Sequence, residues 1–249
     1  MEVHHPHHLH HKKNWKEYIT EFLMLFFAVT LGFFVENYRE HYIERVREKE
    51  FLELIKHDVE MDMKLIDTNL YYRGIRAEIA KSITDQFLNK SYLKDTGPFY
   101  YQLRRMNVRY YFERSDAGFQ QLKNAGGLRL IHDPEIIKAI QAYEQLIATV
   151  NQFEVSEMEA NNEYRNANAL VLDINVVLQM NASNLSNYNN FIQPTTNPPL
   201  LSYDRDRLNQ LMSTMHNVDR VNYVVMHFEN KLKKEAEDLM SVIDKAMKH

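Results

Sequence analysis

Along most of this chain hydrophobic residues recur at intervals of three and four, and one segment breaks that rule. Between Glu21 and Glu36 run fourteen consecutive uncharged residues, Phe22 to Val35, apolar on every face of a helix. A helix that packs on a core keeps a polar side, so all-round apolarity predicts a segment surrounded by something other than water. At 1.5 Å per residue the run covers about 21 Å, short of the roughly 30 Å hydrocarbon core of a bilayer. Trp15, Tyr18 and Ile19 before it and Tyr38 and Tyr42 after it lengthen it as interfacial aromatics do, with Lys16 and Glu17 snorkelling outward. The pattern predicts one transmembrane helix over residues 15–38, with Glu21 just inside one membrane edge and Glu36 closing the other end. Ala28, Thr30 and Gly32 are small enough to let a second helix approach closely, which marks Ala28 and Gly32 as interaction residues. The run ends in Phe33-Phe34-Val35 rather than in small residues, so the segment is expected to stay attached instead of being cleaved as a signal peptide.

Beyond the span, nothing breaks helix from Lys16 to about Tyr72. Residues 39–50 are mostly charged and predict an exposed helical stalk. Leu52, Ile55, Val59 and Ile66 then mark an apolar edge that Asp62 interrupts, and past Gly74 the edge resumes with Ile75, Ile79, Ile83 and Phe87. Gly97-Pro98 opens a shorter helix carrying the aromatic stretch Phe99 to Phe112. Ser115 or Asp116 starts another short piece, which Gly126-Gly127 ends; at least one of these glycines is expected at positive φ, turning Leu128, Leu130 and Ile131 inward. Asp133-Pro134 is a strong helix start, with an acceptor at the cap and a fixed φ at the first helical position. From there a long helix is predicted to about Ala182, followed by a loop over 183–203 and a last helix from Asp204. Leu208, Leu211, Met215, Val218, Val225, Leu232, Leu239 and Ile243 keep a 3-4 repeat on that helix, with Asn222 and Glu229 at apolar-type positions where they would set register. No alternating strand pattern occurs. The predicted fold is all-α: a His-rich disordered leader at 1–14, the span at 15–38, the stalk at 39–50, and a domain at 51–249 built as an antiparallel bundle of long helices.

Composition narrows the chemistry. The 249 residues contain only six glycines and six prolines, which suits long helices, and no cysteine, which excludes disulfides, thiolate nucleophiles and cysteine metal sites. A net charge of −4 argues against general affinity for nucleic acid, even though Arg104, Arg105, Arg109 and Arg114 interleave with aromatics. No glycine-rich phosphate loop, HExxH or nucleophile elbow is present, so no catalytic residue or cofactor is implied. His4, His5, His7, His8, His10 and His11 form a tract that suits Zn, Cu or Ni, giving a second functional class: a metal-binding sensor or carrier. Glu36, Glu40, Glu44 and Glu48 lie on one helical ridge, an acidic face that is either solvated or docks a basic surface. Basic residues flank the span on both sides: Lys12, Lys13 and Lys16 before it, and Arg39, Arg45, Arg47 and Lys49 after it. With charge nearly balanced, a short leader inside and a long domain in the periplasm is the expected topology.

Phe26-Phe-Ala-Val-Thr-Leu-Gly-Phe-Phe-Val-Glu-Asn37, after a short polar leader, resembles the anchor of an uncharacterised family of bacterial single-pass inner-membrane proteins. Phe119-Gln-Gln-Leu-Lys-Asn-Ala-Gly-Gly-Leu-Arg-Leu-Ile131, followed by Ile140-Gln-Ala-Tyr143, is similar to that family's second signature. The resemblance spans about residues 15–145; it implies an anchor and a helical domain and brings no catalytic residue. Together the residues lead to the expectation of a non-enzymatic helical scaffold or accessory protein, anchored in a lipid bilayer, that self-associates or docks to a membrane complex.

Overall fold

The computed structural model describes residues 14–124, 126–181 and 190–248. Among these residues it is helical with no strand, and an isolated bridge pairs Asn181 with Phe191. The chain divides into two units that meet between Glu50 and Phe51. Helix α1, Trp15–Leu88, runs through 74 residues and contributes to both.

In the first unit α1 buries almost nothing. Leu25 is 68% exposed and Phe34 61%, and the other large apolar side chains of residues 15–38 are exposed as well. No proline or cap occurs between Trp15 and Glu50, so nothing local stops the helix. Pairs three residues apart support it, Arg39 with Glu36 and His41 with Glu44.

The second unit carries the remaining elements. After α1 come a 3-10 turn at Ser91–Leu93, α2 (Thr96–Met106), α3 (Ala117–Asn124), a 3-10 turn at Gly127–Arg129, α4 (Pro134–Ala169), α5 (Ile174–Gln179) and α6 (Arg205–Ala246). The starts follow their caps. The Asp133 carboxylate accepts from the Glu135 amide at 2.8 Å, and Asp204 accepts from Asp206 and Arg207 at 3.1 and 3.0 Å. Buried positions repeat at three and four on every long helix, from Ile55 to Ile83 on α1, Ile136 to Tyr164 on α4 and Leu208 to Ile243 on α6. They feed two hydrophobic clusters. One gathers Ile83, Phe99, Leu103, Tyr164 and Leu211; the other gathers Ile55, Val59, Phe119, Tyr143, Ile147 and Leu239. Pairs between α1 and α6 run in opposite order: Lys56 meets Asp244 at 2.5 Å, Asp67 meets Lys233 at 2.6 Å, and Asn69 meets Glu229 at 3.4 Å.

Three expectations change. The aromatic helix stops at Met106, and residues 107–116 form a connection instead of a further turn. Side chains account for the stop: Arg73 takes the Tyr110 carbonyl, and the Glu154 carboxylate accepts from the Phe112 amide at 2.7 Å, so these backbone groups are satisfied without helix. The long helix from Pro134 ends at Ala169 and not near residue 182. Asp173 restarts the chain as a cap for α5, accepting from the Asn175 amide at 2.8 Å, while the amides of Asp173 and Leu201 bind the Tyr100 hydroxyl and the Val171 carbonyl across the break at 2.9 Å each. At the glycine pair, Gly126 has φ +64° and Ile131 is buried, as the spacing predicted, but Leu128 faces out.

Two glycines are required where they stand. Gly126 takes the left-handed conformation that closes the segment after α3. Gly118 packs on the backbone of α1, where a Cβ would meet the Leu54 carbonyl carbon at 2.7 Å. Gly126→Val is expected to cost about 1–3 kcal/mol in chemical denaturation and Gly126→Asn clearly less, since asparagine tolerates positive φ. Equal losses would show that crowding and not φ sets the cost.

Candidate functional site

Several positions in the buried repeat are occupied by polar or charged residues. On α1 these are Asn69, Arg73 and Arg76; on α4 Glu157 and Asn161; on α6 Asn222 and Glu229, all within the buried set. Helical spacing alone turns them toward one another, because each stands where an apolar residue would stand in the adjacent turns.

Arg73 is the centre. Its guanidinium lies 2.9 Å from Glu157, 3.1 Å from Glu229 and 3.5 Å from Glu154. It also donates to Asn222 at 3.4 Å and to the Tyr110 carbonyl, while the Asn222 amide returns a bond to the Arg73 carbonyl at 3.1 Å. Arg76 pairs with Glu157 and donates to Asn161 at 2.9 Å and to the Met106 carbonyl at 3.2 Å. Burial works against the Arg73 charge, yet Glu157, Glu229 and Glu154 outweigh it and raise its pKa; Arg76, with fewer carboxylates, is lowered by burial.

Two guanidinium groups face three carboxylates. Fully ionised, these carboxylates would outnumber Arg73 and Arg76 in a dry interior, with Arg109 adding only a weaker pull on Glu154, which is costly. A proton removes the excess. Burial pushes Glu154 up to about 7 against the pull of the Phe112 amide and Arg73, and pushes Glu229 up to about 7 against Arg73, with the Glu154 charge adding to the rise. The two titrate as a coupled system.

A second polar group ties α3 to α1. Asp58 accepts from the Gly118 and Phe119 amides at 2.7 and 3.2 Å, capping α3 from another helix, and from the Ser115 hydroxyl at 3.2 Å. Asp62 accepts from the Ser115 amide at 2.6 Å and from the Tyr143 hydroxyl at 2.7 Å. Burial raises the pKa of both Asp62 and Tyr143, and their bond partly offsets that rise for the acid. The Asp62 that broke the apolar edge in sequence is therefore a satisfied core residue.

The residues singled out from sequence lie elsewhere. Ala28 is exposed on α1, and a Cβ at Gly32 would meet nothing within 4 Å. Glu36 pairs with Arg39, with a bond of 3.0 Å from Nε. Glu21 is half-buried on α1. His4, His5, His7, His8, His10 and His11 fall outside the described residues. Among the described residues no cluster of three or more His, Asp or Glu is arranged to hold a metal ion. Asn222 and Glu229 were legible as polar residues in a buried repeat. Arg73 and Arg76 were missed, although the signal existed: Ile66, Asn69, Arg73, Arg76, Ala80 and Ile83 continue one unbroken 3-4 spacing.

One helix among the described residues, α1, is long and apolar enough to cross a membrane, and none of its apolar window is buried within the protein. Compared with family models, with curated proteins and with solved structures, the chain matches none.

Two outcomes test the cluster. Arg73→Met should destabilise the fold by about 3–5 kcal/mol in urea, because it strands buried carboxylates. The pH effect has the opposite sign to an ordinary salt bridge. An unfolded glutamate releases its proton near 4.5, while Glu154 and Glu229 hold theirs to about 7. Their contribution is complete below pH 4.5 and is lost as pH rises through 7. Wild type should lose on the order of 1–3 kcal/mol between pH 5 and 8. Glu229→Gln, which removes one of the two raised carboxyls, should flatten that slope; an unchanged slope would place the titration elsewhere.

Proposed function

We propose that this chain is a single-pass membrane protein of the bacterial inner membrane, non-enzymatic, whose unit from Phe51 onward is an antiparallel helical bundle that works by association with a copy of itself or with a larger membrane complex. The observation that carries this is the Phe22–Val35 stretch, apolar on all faces and exposed among the described residues. Soluble proteins rarely leave so large a contiguous apolar surface in water, and lipid is the medium that covers every face of a helix at once. Trp15, Tyr18, Tyr38 and Tyr42, all exposed, stand at the ends of that stretch as interfacial residues do.

The α1–α6 pairs that run in opposite order, with α4 against α6, support the bundle. The resemblance of Phe26–Asn37 and Phe119–Ile131 to a family of anchored bacterial proteins supports the same reading. The short leader lies inside and the long domain lies in the periplasm, the arrangement favoured when flanking charges balance and a large domain follows the span. Association is supported by what residues 15–50 bury, which is next to nothing: a helix that gains no packing from its own chain gains it from lipid or a partner. Ala28 and Gly32 present backbone rather than bulk on that helix.

The full chain should remain in the membrane pellet after alkaline carbonate washing, and a chain lacking residues 1–36 should be soluble and helical. Full-length protein that washes off would exclude the anchor. In a membrane dimerisation assay Gly32→Leu should weaken self-association severalfold while Phe26→Ala has little effect. Equal signals would assign association to the bundle or to a different partner.

A further inference from the structure

The second unit contains a cavity beside the buried cluster, sharing Arg76 with it. It encloses about 420 Å³ and is lined by Tyr72, Ile79, Arg76, Tyr101, Arg105 and Tyr110 among others. Its walls are preformed. Tyr72 and Tyr110 stack with ring centroids 4.9 Å apart at 7°, and Tyr110 is held in place through its carbonyl by Arg73. Arg105 lies 5.6 Å over the Tyr101 ring.

Apart from Arg76 and the Asn190 amide, the polar side chains at this cavity are tyrosine hydroxyls and one guanidinium. The hydroxyls of Tyr72, Tyr101 and Tyr110 have no hydrogen-bond partner among the described residues, and Arg105 has no acidic partner among them. No carboxylate occurs among the described residues lining the space. Arg76, the other cation, already spends donors on Glu157, Asn161 and the Met106 carbonyl. Burial raises the Tyr110 pKa, so its hydroxyl stays protonated and able to donate. The free set is therefore one guanidinium fork and three phenol donors around a partly aromatic wall.

We propose that this cavity binds a small organic oxyanion, a carboxylate or phosphomonoester carried on a flat apolar body. The oxyanion takes the Arg105 fork and tyrosine hydroxyls, which suit planar, acceptor-rich groups. The apolar body lies against Ile79 and the tyrosine rings, as pocket ligands usually combine a few polar contacts with apolar walls. The volume admits a single ring with one such substituent and falls within the usual range for small-ligand sites. This inference does not depend on the membrane reading.

The test uses the full-length chain in detergent micelles with benzoate and phenyl phosphate as probes, followed by ligand-observed NMR, and benzyl alcohol as the neutral analogue. Saturable binding of the two anions is expected, with benzyl alcohol about tenfold weaker or worse. Arg105→Gln should weaken the anions by about tenfold, the loss of one charge-assisted hydrogen bond, and Arg105→Lys should recover part of it. Tyr72→Phe with Tyr110→Phe keeps the stack and should weaken binding severalfold. The proposal fails if no saturable binding occurs, if Arg105→Gln binds as wild type, or if benzyl alcohol competes equally. Should Arg105→Gln not fold, the neutral analogue decides alone.

Discussion

Arg73 is the contact on which the second unit depends. One guanidinium, wholly buried, reaches Glu229 and Asn222 on α6, Glu154 and Glu157 on α4, and the Tyr110 carbonyl in the connection after α2. Apolar side chains at 3-4 spacing pack almost as well after a slip of seven residues, so the repeats of α4 and α6 do not by themselves choose a register. The charges do. Moving α6 by one heptad would put Met215 and Asn222, or Glu229 and Ala236, in the places of Asn222 and Glu229, and moving α4 would take Glu157 from both arginines, so either slip leaves a buried charge short of a partner, which a shifted apolar seam does not recover. The cluster also separates the two hydrophobic clusters, so each forms on its own side of a polar layer that must be assembled correctly for either to close.

The same layer shapes the irregular part of the chain. Residues 107–116 leave helical geometry because Arg73 and Glu154 offer their backbone groups better-placed partners than the next turn would. That departure carries Tyr110 to its stack with Tyr72 and brings Ser115 to Asp58 and Asp62. Asp58 then caps α3 in place of a local residue, and Gly118 lets that helix end touch the α1 backbone. A chain of short-range consequences thus runs from one buried arginine to the position of α3 and to the wall of the tyrosine-lined cavity.

Much of the helical layout was legible because its signals are local. Asp133-Pro134 and Asp204 start helices through bonds made within three residues, and Gly126 closes one through its own φ. The stop of α2 at Met106 and the break after Ala169 were not legible, because their partners lie far away in sequence. Glu154 is 42 residues from Phe112, and Tyr100 is 73 residues from Asp173. The buried cluster was half visible. Asn222 and Glu229 stood out because the eight other positions read in the repeat are apolar, whereas Arg73 and Arg76 sit among Tyr71, Tyr72 and Glu78 and resemble a solvated face. Continuing the spacing from Ile66 to Ile83 through the arginines would have found them. Of the tyrosine cavity, Tyr101, Arg105 and Tyr110 lie in the stretch where arginines interleave with aromatics, but Tyr72 shares no spacing with them.

Helix α1 passes through three kinds of surface without a break in its backbone, and this separates what makes a helix from what covers it. Residues 22–35 are apolar all round, residues 39–50 polar nearly all round, and from Phe51 one face is buried at 3-4 spacing. Hydrogen bonds to the fourth residue back and the absence of proline are common to all three and suffice for continuity. Packing within the chain accounts for the third region only. The charged region needs no cover, since water and the pairs at Glu36–Arg39 and His41–Glu44 serve it. The apolar region does need one, and its all-round character distinguishes among candidates. A partner helix would cover one stripe and leave the opposite face in water, whereas lipid covers the full circumference and still admits a second helix at the small residues Ala28 and Gly32.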